Sequence, residues 1–306
     1  MKIKLTNIPF LKLRWYAASF SLILIVGTVY LLYTLPEGKK YGVDFIGGVE
    51  AIASFEKPIN TAIVRSQLEK AGISDPVIQN FHSLEGDSQN LFSIRMKSEE
   101  RANLSQFIQQ ALAEGLEDNR VSIEKFDHVG PSIGDQIRQD ALLAVIFSLL
   151  GITIYISMRF EFRFALGALI GLAHVTLVSL GACLLVGREI NAVVFAGILT
   201  IVGYSINDTI VVFDRIRENL VNNIKNKKNL AFGEVIDQSI NETMSRTIIT
   251  ILTCVFVVLS MYLIGGGALE SLAFVLLVGF TMGGYTTVFV ACPAVYWLDG
   301  FLSKKA

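Results

Sequence analysis

Six stretches of the chain are long and apolar enough to cross a bilayer, which takes roughly 20 mostly apolar residues at about 1.5 Å of rise each. They run from Trp15 to Leu35, Ala141 to Met158, Phe164 to Val186, Ala192 to Phe213, Thr247 to Ile264 and Ser271 to Leu298. Lys2, Lys4, Lys12 and Arg14 precede the first, as in a signal peptide, but its apolar run is too long for one and no small-residue cleavage site clearly closes it. The pattern predicts an uncleaved anchor and five further spans.

Pro36 to Asp140, between the first two spans, has the polarity of a soluble domain. Val43 to Phe55, Val77 to His82, Leu91 to Met96 and Arg120 to Val129 read as strands. Two helical patterns intervene. Asn60 is placed to cap the first, which ends at Gly72, and Ser98 with Glu99, Glu100 and Arg101 opens the second, which runs to about Ala113 before Gly115. The order β-α-β-β-α-β is that of a ferredoxin-like unit. The expected fold class is an all-α polytopic membrane protein of six transmembrane helices with an inserted α+β ferredoxin-like domain between helices 1 and 2.

Charge placement orients the chain, because Lys and Arg of short loops stay on the cytoplasmic side. The N-terminal basic residues, Arg159 and Arg163, the segment from Arg215 to Arg246, and Lys304 with Lys305 all fall on one side of the six-span scheme. The opposite short loops carry only Arg188, offset by Glu189, and the turn Gly265 to Gly267. Both termini are therefore expected to be cytoplasmic. The division reads as a cytoplasmic stretch 1–14, a span 15–35, an outer domain 36–140 and a membrane region 141–298. That region contains a cytoplasmic loop 214–246, and a tail 299–306 follows.

Composition agrees with a lipid solvent: of 306 residues 52% are apolar and 17% charged. A net charge of −1 gives no support to a nucleic-acid partner. Cys183, Cys254 and Cys292 lie in apolar runs, where cysteine behaves as a small hydrophobe, and His82, His128 and His174 are far apart with no metal-binding spacing. No metal or cofactor is expected.

Asp208 is the single carboxylate inside a predicted span. Placing a charge there costs about 2.5–3.5 kcal/mol, and residues that persist at such positions usually face a cavity or a partner. It lies on the order of 8 Å to the cytoplasmic side of the predicted helix midpoint. Tyr204 and Ser205 stand one turn before it on the same face and Asn207 is its neighbour, a patch able to hold water and pass a proton. Arg246 opens the fifth span and can reach inward as a counter-charge. A packing role for Asp208 and a plain interfacial role for Arg246 stay open at this level. A lone His174 in the third span reads as a packing or hydrogen-bonding residue.

Asp214 to Ile224 continues the helical pattern as an amphipathic segment at the cytoplasmic surface, or as a solvated helix end. Gly167, Gly171, Gly197, Gly203, Gly279, Gly283 and Gly284 mark close helix approaches, and Pro293 is placed to kink or end the sixth helix. GVDFIGG, with Gly42, Asp44, Gly47 and Gly48, opens the outer domain, and Asp44 there can bond its own turn. VGPSIG, with Gly130 and Pro131, closes it. Neither has the strand-loop-helix setting of a phosphate loop, and both read as hinges.

GVDFIGG, VGPSIG, VGYSINDTIVVFDRIREN, SRTIITILT and GGGALESLAFVLLVG, in this order and spacing, resemble the SecF subunits of the SecD/SecF family of bacterial protein export over nearly the whole chain. The resemblance implies half of an RND-type unit with a periplasmic domain, sited in the inner membrane. It implies pairing with SecD and use of proton motive force to promote late stages of export through the SecY, SecE and SecG channel. YajC, YidC and the translocating preprotein join the implied partners, and no catalytic chemistry is implied. The family's proton-relay carboxylate falls on Asp208 and its fifth-helix arginine on Arg246. Many relatives have His-Asp in the third helix where this chain has His174 and Val175, so no acid stands there. Two other classes compete. A stand-alone RND-like exporter of small molecules or lipids would need two copies of this half, and an intramembrane aspartyl protease would need a second membrane carboxylate.

Overall fold

The structure, a computed structural model, describes residues 8–73, 76–81, 90–96, 103–114, 119–265 and 267–302. The expectations placed on Lys2, Lys4, His82, Ser98 to Arg101, Gly115, Gly266, Lys304 and Lys305 fall outside the described residues.

A 3-10 turn at Phe10–Leu13 leads into α1 (Arg14–Thr34). The outer domain follows as β1 (Gly48–Phe55), α2 (Thr61–Lys70), β2 (Val77–Phe81), β3 (Leu91–Met96), α3 (Leu104–Ala113) and β4 (Val121–Val129). The remaining chain is α4 (Pro131–Arg159), α5 (Phe162–Leu185), α6 (Ala192–Lys225), α7 (Phe232–Ile264), α8 (Gly267–Thr286) and α9 (Cys292–Leu302). Among the described residues six helical segments are long and apolar enough to span a membrane, α8 and α9 forming the last together.

The domain's sheet has strand order β2-β3-β1-β4 with every neighbouring pair antiparallel. Strand periodicity explains its core. Val49, Ala51, Ala53 and Phe55 alternate to one face of β1 and bury against Val64 and Leu68 of α2 and Ile108 and Leu112 of α3. Each fully buried aliphatic side chain contributes about 1.5–3 kcal/mol. Asn60 caps α2 as its position predicts, its side chain accepting from the Ala62 amide at 2.9 Å.

Three local expectations change. Val43–Ile46 is a helical turn rather than the start of β1, closed by Gly47 N–H donating to the Val43 carbonyl at 2.9 Å. Gly47 and Gly48, at φ 72° and 139°, then turn the chain into the strand. The segment 214–246 is mostly helix, because α6 runs straight on to Lys225 and α7 begins at Phe232. Its apolar positions Ile216 and Leu220 pack on Ile236 and Ile240 of α7, so the segment is an antiparallel hairpin of helices and not one lying along the surface. Across that hairpin Asn219 donates to Ser239 at 3.0 Å and to Glu242 at 2.7 Å, and Arg215 to Glu242 at 2.6 Å. Finally, Pro293 does not end the last span. The residues before it, Thr287–Ala291, form a π turn that absorbs the missing backbone donor, and the helix continues to Leu302.

Within the membrane region α5 and the last span are interior: 61% and 56% of their most apolar stretches are buried, against 6% for α4 and 11% for α7. Small residues permit this. A Cβ on Gly167 would stand 2.5 Å from Val295 Cγ2, and one on Gly279 would overlap Ile201.

Candidate functional site

Asp208 is the seventeenth of the 34 residues of α6. Thr247, in α7, donates its hydroxyl to Asp208 Oδ1 at 2.8 Å. Thr287, in the π turn, lies beside the same carboxylate, and its hydroxyl is 3.0 Å from that of Thr209 on α6. Asp208 Oδ2 is buried without a hydrogen-bond partner among the described residues. An acceptor left open in this way is costly unless water or a proton occupies it, which is the condition a proton carrier needs.

The π turn extends the polar chain. By adding one residue to the helical turn it directs Thr287 toward α6 and Thr286 toward α5, where Thr286 Oγ1 lies 2.9 Å from His174 Nδ1. Beyond it the Tyr285 hydroxyl sits 3.0 Å from Ser21 Oγ of α1 and donates to the Ala17 carbonyl at 3.0 Å. His174 thus hydrogen-bonds in the interior, as a lone membrane histidine was expected to.

The patch expected around Asp208 divides. Ser205 is buried, and its carbonyl accepts from Thr209 at 3.0 Å. Tyr204 packs on Phe280 with ring centroids 4.4 Å apart and places its hydroxyl beside Cys254, with no hydrogen bond to the carboxylate among the described residues. Asn207 faces outward. Arg246 makes no ion pair with Asp208 among the described residues and acts on it only through space as a nearby positive charge. It is exposed and lines a cleft of about 410 Å³ with Arg159, Asp214, Arg215 and Glu242, which reaches Ile210 and Val211 within one turn of Asp208. Sequence reasoning missed Thr247 and Thr287. Their only signal was a pair of threonines in strongly apolar helices.

The two glycine motifs, more than eighty residues apart, pack on each other. A Cβ on Gly47 would stand 2.6 Å from Pro131 Cα, and one on Gly134 2.7 Å from the Gly47 nitrogen. Gly42 N–H donates to the Ile190 carbonyl at 3.1 Å, tying the joint to the α5–α6 loop. Asp44 does not bond its own turn. Its carboxylate accepts from the Ala192 amide at 3.1 Å while the Asn191 side chain accepts from Val194 at 2.9 Å, so two side chains satisfy two of the first-turn donors of α6.

The profile of the family described as protein export membrane protein SecD/SecF, C-terminal, matches residues 108–300. The protein translocase subunit SecF of Thermodesulfovibrio yellowstonii is 37% identical over 96% of this chain and 95% of its own length. That of Desulfurispirillum indicum is 38% identical over 99% and 95%. The chain is a member of the SecF family. The SecF fold also agrees with the crystal structure of SecDF, a translocon-associated membrane protein, from Thermus thermophilus, at a TM-score of 0.85 and 28% identity. That match covers 98% of this SecF-family chain and 40% of the SecDF chain. A super-membrane-facing form of SecDF matches at a TM-score of 0.70 and 28% identity. The family profile contains Asp208, Arg246 and the second glycine motif, whereas GVDFIGG lies outside it.

Proposed function

We propose that this chain pairs with SecD and uses proton motive force to promote late stages of protein export across the inner membrane, with Asp208 as the proton carrier. The observation that carries this reading is the Asp208 carboxylate, held at one oxygen by Thr247 and open at the other inside a membrane helix. Arg246, one residue before Thr247 and exposed in the cleft, is the mobile counter-charge that favours release of the proton on its side. Tyr204, Ser205 and Asn207 support the site by shaping the helix around it. Ala196, Thr200, Gly203 and Asn207 form an outward stripe of small and polar residues along α6, which fits close packing against a SecD helix rather than lipid.

The β-α-β-β-α-β order and strand order β2-β3-β1-β4 support a ferredoxin-like periplasmic domain in contact with the emerging preprotein. Gly42, Asp44, Gly47, Gly48, Gly130 and Pro131 form the joint that couples this domain to the membrane helices. The distribution of basic residues supports cytoplasmic termini, and SecY, SecE and SecG, with YajC and YidC, complete the assembly.

The test is reconstitution with SecD and the channel in proteoliposomes. Asp208→Asn abolishes export stimulation by a proton gradient while SecD still co-purifies. Gradient-dependent export that is normal in this variant refutes the carrier role, and purification without any second six-helix subunit refutes the pairing.

A further inference from the structure

A pocket of about 550 Å³ opens where the outer domain meets the membrane helices, within the range of about 300–1,000 Å³ that holds small molecules. We propose that it binds the phosphoethanolamine headgroup of a membrane lipid. Leu35, at the end of α1, and Leu184, at the end of α5, form part of its wall. Both spans end there on the domain's side, so the pocket sits at the depth where acyl chains give way to headgroups.

Its charged groups differ in sign and in burial, the anionic one buried and the cationic ones exposed. Glu189, from the α5–α6 loop, lines the pocket with a side chain only 7% exposed. One carboxylate oxygen pairs with Arg95 of β3, while Oε1 is buried and has no partner among the described residues. Arg95 is shared, since its Nε also lies 3.5 Å from Glu50 Oε1. Burial draws the Arg95 guanidinium below its ordinary value, with Glu50 opposing that effect. Two carboxylates therefore face one guanidinium. Arg188, the neighbouring cation, is committed to Glu270 on α8. The buried end of the pocket thus holds one carboxylate oxygen, Glu189 Oε1, with no donor among the described residues.

Lys39 and Arg65 line the same pocket, are exposed, and form no ion pair among the described residues. Arg65 is steadied by its Nη1 donating to the Pro76 carbonyl at 3.1 Å, which leaves its other donors available. A cationic rim above an anionic floor matches a compact zwitterion, with phosphate on Lys39 and Arg65 and ammonium on Glu189 Oε1. A free phosphate would meet the Glu189 charge, and a lysine side chain would leave the rim unmatched.

Choline supplies the discriminating probe, because its trimethylated nitrogen carries no N–H. The full chain is placed in nanodiscs of equal phosphatidylethanolamine and phosphatidylcholine, extracted in detergent, and its retained lipid measured by native mass spectrometry. Phosphatidylethanolamine is retained about tenfold over phosphatidylcholine, the equivalent of one charge-assisted hydrogen bond at about 1.4 kcal/mol. Glu189→Gln removes the preference and keeps retention, whereas Lys39→Gln with Arg65→Gln lowers retention of both lipids. Equal retention by the unaltered protein, which needs no variant to fold, overturns the proposal. So does a preference that survives Glu189→Gln, or a stronger retention of phosphatidylglycerol when it is added, which would mean that the rim alone binds anions.

Discussion

Replacing Gly47 by alanine tests whether the outer domain is fixed to the membrane helices by backbone contact. Gly47 has φ 72° and ψ 159°, a combination open almost only to glycine, and a Cβ there would stand 2.6 Å from Pro131 Cα and 2.8 Å from Pro131 N. The backbone strain costs about 1–3 kcal/mol and the overlap, with backbone that cannot swing aside, about 1–3 kcal/mol more. Two internal controls separate these causes. Gly72 has φ 87° but nothing within 4 Å of a built Cβ, so Gly72→Ala carries strain alone, while Gly130 has φ −65° and open space and tolerates alanine. The assay is amide hydrogen exchange at the Gly48–Val129 end of the sheet, the pair nearest the joint. A loss of at least about 2 kcal/mol lowers protection there by about thirtyfold, each 1.4 kcal/mol being tenfold. If Gly47→Ala costs no more than Gly72→Ala, the contact with Pro131 does not fix the domain and the reasoning fails.

Two further outcomes concern packing and charge. Gly279→Ala forces its methyl into Ile201, which is fully buried, so it lowers thermal stability by about 1–3 kcal/mol in detergent, and Ile201→Val in the same chain restores part of the loss; a neutral Gly279→Ala would contradict the close approach of α8 to α6. The Lys125 ammonium is held above its ordinary value of 10.5, chiefly by its hydrogen bond to Asp127, so its contribution is complete below the unfolded value and fades as pH rises through the folded one. The pair is 55% and 40% exposed and is worth at most about 1 kcal/mol, so urea unfolding of Lys125→Met shows a small loss at neutral pH and a weaker alkaline fall than the unaltered chain.

The six spans, the outer domain's element order, the Asn60 cap and the isolation of Asp208 were all legible in the sequence. Each depends on local regularities: apolar length, period, a cap residue next to its helix, or one charge in an apolar run. The partners of Asp208 were not legible, because Thr247 and Thr287 come from two other helices and threonine is nearly neutral in hydropathy. Such hydroxyls also bond within their own helix, as Thr209 does to the Ser205 carbonyl at 3.0 Å, so a threonine in a span does not announce a partner. The joint was half legible. Glycines marked both motifs, but only folding brings Gly47 onto Pro131 and carries Asp44 to the start of α6. The continuation of α6 past Phe213 was legible in the pattern from Asp214 to Ile224, but its packing was hidden for a similar reason, since Ile216 and Leu220 look like a surface-seeking stripe until Ile236 and Ile240 cover them. Hydropathy and period decide which segments leave water. Which side chains meet inside is decided by helix packing, and there the small residues and the π turn set distances that no single helix specifies.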